Sequence, residues 1–202
     1  MLATALLTLG LNSSSFCAAP ADSLDRLFDR GRTYQAFLES ANARRETWLE
    51  NTKAASLDPA VLARGRAVGG EWRLLVVAED WCGDSANTIP YVARLIDSIP
   101  SVALRIVNST DGRWVMERYR TPDGRAATPT VVLLNGAGDP VGCFIERPAA
   151  LRKALAERGD KGTMPVLTEW RKHDAGHSTM LEIVELLEAA AQGTGRCTAA
   201  GS

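Results

Sequence analysis

The chain has 202 residues, 46% of them hydrophobic and 23% charged, the make-up of a globular protein with one sizeable domain and additions to it. A formal net charge of −1, with no basic block longer than Arg44-Arg45, leaves no electrostatic case for nucleic acid or an anionic membrane surface as partner. The four cysteines, Cys17, Cys82, Cys143 and Cys197, are too widely spaced to read as a disulfide framework, and they do not cluster with histidine as zinc ligands would.

Residues 1–21 form a leader segment. Leu2 to Leu11 is mostly apolar, Asn12-Ser13-Ser14-Ser15 breaks it, and Ala19-Pro20-Ala21 resembles a small-residue cleavage site. A secretory signal fits this order and export is the preferred reading, although the positively charged start is missing. A disordered leader or a wrongly assigned start codon is the alternative. The run is too short to span a bilayer, and no other membrane span is expected.

Residues 22–70 read as a helical extension. Tyr34, Leu38, Ala41, Trp48 and Leu49 predict a helix over Thr33 to Asn51, and Asp58-Pro59 reads as an N-cap with proline at the first helical position, opening a helix that ends near Gly69-Gly70. Trp72 to Ala78 is the first clear strand, Ser85 to Ile99 a helix containing Pro90, and Val102 to Val107 a second strand. A short helix over Gly112 to Tyr119 and a turn at Thr121-Pro122-Asp123-Gly124 lead to a hairpin. Its strands are Thr130 to Leu134 and Val141 to Ile145, joined by the turn Asn135 to Pro140. Pairing across that turn sets 134 opposite 141, 132 opposite 143 and 130 opposite 145. A helix over Pro148 to Arg158 closes a core spanning 71–158, and residues 159–202 add helices around Leu167 to Lys172 and Thr179 to Ala191, then a loose tail. The alternation of helices and strands is mixed α/β.

The stretch Trp81-Cys82-Gly83-Asp84-Ser85 lies between the strand Leu74 to Ala78 and the helix after it. A cysteine at such a junction meets the unpaired N–H groups and positive dipole end of a first helical turn, and both favour thiolate over thiol. The alternative for a free cysteine is a small buried hydrophobe.

With Pro90 eight residues beyond Cys82, and Thr128-Pro129-Thr130 ahead of a strand that turns at Asn135-Gly136, the chain resembles the thioredoxin-like superfamily. The Glu79 to Asp84 run, the N-terminal extension and Arg147-Pro148 are similar to a bacterial branch with a Trp-Cys-Gly-Asp-x active-site sequence. The resemblance implies a thioredoxin-like fold, a mixed sheet flanked by helices, with helical extensions at both ends. It makes Pro90 the helix-kinking proline and Pro129 a cis-proline, with Thr128 beside Cys82 and free to pair with an extended segment. It also marks two departures. Ser85 stands where the resolving cysteine would be, and Val76 where a buried acid would assist proton transfer.

The candidate site is therefore Cys82 as attacking sulfur with Ser85, and Trp81, Gly83, Asp84, Thr128 and Pro129 as the substrate-binding surface. Ser85 has two readings, a helix-start residue left by the loss of a cysteine or a hydroxyl donating to the thiolate. Asp84 opposes thiolate formation but suits a helix start. Arg147 emerges at the site end of the hairpin as a source of positive charge, the alternative being a solvated side chain. Cys143 reads as a core residue about 10 Å along the strand from Pro129. His173 and His177 could pair on one helix face, but Gly176 interrupts it and no third ligand is near, so no metal is expected.

Two functions follow. One is a monothiol thiol–disulfide oxidoreductase without metal or organic cofactor. Its substrate is a disulfide-containing protein or small thiol, and glutathione or another low-molecular-weight thiol acts as co-substrate. The other is a redox-inactive binding module that keeps the groove and has lost turnover.

Overall fold

The computed structural model describes residues 23–159, 162–195 and 197. The leader and its cleavage site, with Cys17, lie outside the described residues.

Four short helices precede the sheet: α1 (Leu24–Arg30), α2 (Tyr34–Ser40), α3 (Arg45–Ala54) and α4 (Pro59–Ala67). Side chains fix their starts. Ser23 Oγ accepts from Arg26 N–H, Thr33 Oγ1 from Ala36 N–H, and Asp58 from the amides of Ala60 and Val61, with Pro59 spending no donor at the first position. The single helix expected over Thr33 to Asn51 is two. The chain breaks at Ala41 to Arg44, where Arg44 takes a φ of 50° and the Asn42 and Ala43 amides are drawn to the Asp80 carboxylate, at 2.8 and 3.0 Å.

The strands β1 (Trp72–Val77), β2 (Val102–Val107), β3 (Thr130–Leu134) and β4 (Pro140–Ile145) form one mixed sheet in the order β2-β1-β3-β4. β1 and β2 are parallel; β1–β3 and β3–β4 are antiparallel. Alternate residues divide between two layers. Leu74, Val76, Val131 and Leu133 face one, with α6 (Ile89–Ile96) and α10 (His177–Ala191); Leu75, Val77, Val132 and Leu134 face the other, with α1 and α7 (Arg113–Arg118). Burial on both faces explains why Leu74 to Val77 in β1 and Val131 to Leu134 in β3 read as apolar runs without alternation. Ile145 lies opposite Thr130 and Cys143 opposite Val132, but Leu134 faces Pro140 rather than Val141, because an irregularity between Leu133 and Leu134 absorbs one residue.

The helix expected over Ser85 to Ile99 is also interrupted, giving α5 (Gly83–Ala86) and then α6. Pro90 has no N–H for the carbonyl of Ala86 four residues back, and its ring crowds that carbonyl. The Ala86 oxygen accepts from Asn51 Nδ2 instead, at 2.8 Å.

Each outer strand is met at one point by another part of the chain. Arg32 exchanges backbone hydrogen bonds with Ile106 on β2, at 2.9 and 2.8 Å. Beyond α10 the chain passes the β4 edge so closely that a Cβ on Gly195 would lie 2.3 Å from the Val141 oxygen. Cys197 then forms a disulfide with Cys143, Cα atoms 5.0 Å apart. The reading of Cys143 as a core residue is thereby corrected: its sulfur is bonded to Cys197 and only partly buried. Their sequence separation of 54 hid the pair, because α8 (Ala149–Ala156), α9 (Thr163–Asp174) and α10 carry the chain away and back.

α9 is longer than the stretch expected around Leu167 to Lys172, and with α8 it closes a small apolar cluster of Leu151, Leu155 and Leu167, against which Trp170 packs. His173 bonds Glu169 within α9, whereas His177 opens α10 and lies 3.8 Å from Asp58. Among the described residues no group of three or more His, Cys, Asp or Glu is placed to hold a metal, and no helix is long and apolar enough to cross a membrane.

Candidate active site

β1 ends at Val77 on the central strand pair, and each residue of the following loop is pinned by a different part of the chain. The Glu79 carboxylate accepts from Ser109 N–H at 2.7 Å. The Asp80 carboxylate holds the break between α2 and α3, while its carbonyl accepts from Trp48 Nε1 at 2.9 Å. The Trp81 carbonyl accepts from Arg44 Nε at 2.7 Å. Partial burial pushes the Asp80 carboxyl upward, but the amides of Asn42, Ala43 and Trp81 outweigh it and hold the group below its ordinary value. Trp48 itself is fully buried in the core.

Cys82 is the N-cap of α5. Its Sγ accepts from Ser85 N–H at 3.4 Å and donates to the Thr128 carbonyl at 3.3 Å. The Thr128–Pro129 peptide bond is cis. Pro129 is buried, and its carbonyl accepts from Glu146 N–H at 2.7 Å, which ties the loop to the end of β4. Ionised, Cys82 would lose the bond to Thr128 and keep that to the Ser85 amide.

Ser85 is fully buried and its Oγ has no hydrogen-bond partner among the described residues. The group that bonds the sulfur is thus the amide of Ser85, not the hydroxyl. Val76 is fully buried among apolar neighbours. Trp81 leaves 59% of its surface exposed beside Cys82, with Gly83 opening the helix after it.

Asp84 does not stand as a bare charge beside the sulfur. Its carboxylate binds Arg147 Nη2 at 2.7 Å and Arg171 Nη2 at 3.0 Å. Arg147 is mostly buried, its guanidinium paired with Asp84 and 3.6 Å from Glu146, so it is not a solvated side chain. Burial works against its charge, but Asp84 and Glu146 prevail and raise its pKa. Glu146, buried at a φ of 62°, also binds Arg125, whose pKa is raised chiefly by that bond and by Asp123. Asp123 in turn is lowered to about 2, mainly by its bond to Arg125.

The structure thus brings Trp81, Cys82, Gly83, Asp84, Ser85, Thr128, Pro129 and Arg147 into one region. Sequence reasoning missed the supports: Arg44, Trp48 and Asn51 from the N-terminal helices, and Arg171 from α9. Asn51 links the Ala86 carbonyl to the hydroxyl of Tyr91, at 2.8 and 3.1 Å. The acidic Glu79-Asp80 pair directly before Trp81 was the one available signal, since two carboxylates at a buried junction need donors. Nothing in the pattern named those donors.

A family model described as Thioredoxin matches residues 31–162. No curated protein matches the chain. Among solved structures, the chain is similar to a protein of unknown function from Pseudomonas aeruginosa, with 22% identity and a TM-score of 0.67 over 83% of this chain and 98% of the other. It is similar also to an HIV epitope-scaffold, with 21% identity and a TM-score of 0.66 over the same shares. At these identities the likeness establishes the fold alone. The family match spans well over half of the chain, from α2 through the sheet to α8, and the chain belongs to the thioredoxin family.

Proposed function

We propose that the protein is a monothiol thiol–disulfide oxidoreductase of the thioredoxin-like type. The observation that carries this reading is the setting of Cys82, a free cysteine at a helix N-cap, bonded to the Ser85 amide and facing the Thr128 carbonyl beside exposed Trp81. The Cys82 thiolate attacks one sulfur of a substrate disulfide. A new S–S bond forms, the substrate's own S–S bond breaks, and the departing sulfur leaves with the electron pair and takes up a proton. Ser85 has no sulfur with which to displace the product, and Cys143 is held by Cys197. An external thiol such as glutathione therefore attacks the mixed disulfide and returns Cys82 to the thiol. No metal or organic cofactor takes part, and the substrate is a disulfide-bearing protein or small thiol compound. The Cys143–Cys197 disulfide favours an oxidising compartment, in keeping with export of a bacterial protein.

One observation supports the alternative of a redox-inactive binding module. Val76 buries an apolar side chain where proton transfer would use an acid. Partner trapping decides between the two. The wild type should accumulate mixed disulfides at Cys82, Cys82→Ser none, and Ser85→Cys far fewer, because the new thiol releases the partner within the same turn. If the wild type captures no disulfide partner and Ser85→Cys gains no reductase activity, the binding-module reading replaces this one.

A further inference from the structure

Arg44 has no role in the disulfide chemistry just described, yet its guanidinium lies at the mouth of the site. Its Cζ is 3.7 Å, and its Nη1 3.9 Å, from where a Cβ on Gly83 would be, so the group lies against the residue that follows Cys82. Nε is used on the Trp81 carbonyl at 2.7 Å. Among the described residues, Nη1 and Nη2 carry neither a hydrogen bond nor an ion pair. The acids nearby are otherwise engaged: Asp80 by the Asn42 and Ala43 amides, Glu79 by Ser109 N–H, and Asp84 by Arg147 and Arg171.

The backbone holds Arg44 in place at a cost. Its φ of 50° is a left-handed conformation that disfavours a residue with a Cβ, and it is fixed by the Asp80 bonds to the two residues before it. The result is an exposed cation on a rigid base, with two free donor groups directed by a plane already anchored through Nε. A guanidinium so presented matches a carboxylate. The exposed face of Trp81, whose carbonyl the same Arg44 holds, gives an apolar surface next to it.

We propose that Arg44 forms an anionic subsite of the Cys82 centre that selects low-molecular-weight disulfides carrying a carboxylate near the reacting sulfur. The proposal rests on Cys82 as the attacking sulfur, and it assigns to the N-terminal helices a part in substrate choice.

The test reads the charge preference of Cys82 without requiring turnover. Cys82 is alkylated with iodoacetate, which is anionic, and with iodoacetamide, which is neutral, and the modified peptide is quantified by mass spectrometry. In each reaction the sulfur bonds to the CH2 carbon and iodide leaves. Arg44→Gly removes the guanidinium and relieves the positive φ, so folding is retained. The iodoacetate-to-iodoacetamide rate ratio should fall about fivefold in Arg44→Gly and be largely restored in Arg44→Lys. In parallel, Arg44→Gly should slow reaction with glutathione disulfide about fivefold more than with the neutral hydroxyethyl disulfide. A ratio unchanged in Arg44→Gly overturns the proposal. A ratio equally low in Arg44→Lys overturns it also, since the side chain would then act only by holding the Trp81 carbonyl. If the ratio falls as expected but neither disulfide reacts with Cys82, the anionic subsite stands and the oxidoreductase reading fails.

Discussion

Replacing both Cys143 and Cys197 by serine should cost about 4 kcal/mol of stability at 25 °C. The bond closes a segment with a sequence separation of 54. In the chain-entropy account a 15-residue loop contributes ~3 kcal/mol and a 100-residue loop ~4.7 kcal/mol, and a loop of this size falls between them. Little is lost besides the constraint, since both sulfurs are only partly buried, where the tail meets the layer of Leu75, Val132 and Leu134. Urea unfolding followed by tryptophan fluorescence gives the quantity directly, because Trp48 passes from full burial to water. With a slope of about 2 kcal/mol per molar urea, the midpoint should fall by about 2 M. Wild type unfolded in the presence of a reductant should match the double variant. Thiol exchange at Cys82 should persist in the variant under native conditions, since neither sulfur touches the site. A loss below about 1 kcal/mol would refute the reasoning, because it would mean that the chain beyond α10 is not held across β4 by this bond.

Three further outcomes follow from the site and its supports. Asp84→Ala takes from Arg171 its carboxylate partner and leaves Arg147 with Glu146 alone, and should cost about 2 kcal/mol by thermal unfolding; a double-mutant cycle with Arg171→Ala that showed no coupling would contradict the shared ion pair. Asp80 is held below its ordinary pKa, so its contribution is complete above the unfolded aspartate value of about 3.9 and disappears as pH falls through the lower folded value. Asp80→Asn should therefore be less stable than wild type at neutral pH, with the gap closing in acid; a gap that stays constant down to pH 2 would count against this. Gly176→Ala should destabilise by more than about 2 kcal/mol, because the residue has a φ of 78° and its Cβ would lie 2.2 Å from the Tyr91 ring; equal melting temperatures would show that the junction of α9 and α10 yields freely.

Much of the frame was legible in the residues. The apolar runs of β1 and β3 marked the buried strands, Asn135-Gly136 fixed the hairpin to within the one residue absorbed near Leu134, and Cys82, Pro90 and Pro129 stood in the order the site requires. What escaped depended on contacts between distant segments. The periodicity of Thr33 to Asn51 is continuous, and the break at Ala41 to Arg44 exists because a carboxylate nearly forty positions later draws two amides out of the helix. Likewise Arg147 read as a positive charge at the site end of the hairpin, with nothing in the pattern to show that it shares the Asp84 carboxylate with Arg171. Local pattern encodes burial and turns well; it carries no record of which remote donor satisfies a given acceptor.

The outer strands of the sheet bear on how this protein meets other chains. An unpaired outer strand is a template on which a second polypeptide can extend the ladder, whether a partner or a misfolded copy. Here Arg32 takes up that template at Ile106 on β2, and the backbone around Gly195, near the Cys197 disulfide, crowds it at Val141 on β4. An incoming extended segment would therefore meet chain already seated at each outer strand. Releasing the tail by reduction of its disulfide would open the β4 edge and leave a thiol at Cys143 on that same strand. The resulting protein would be expected to self-associate before it lost its chemistry.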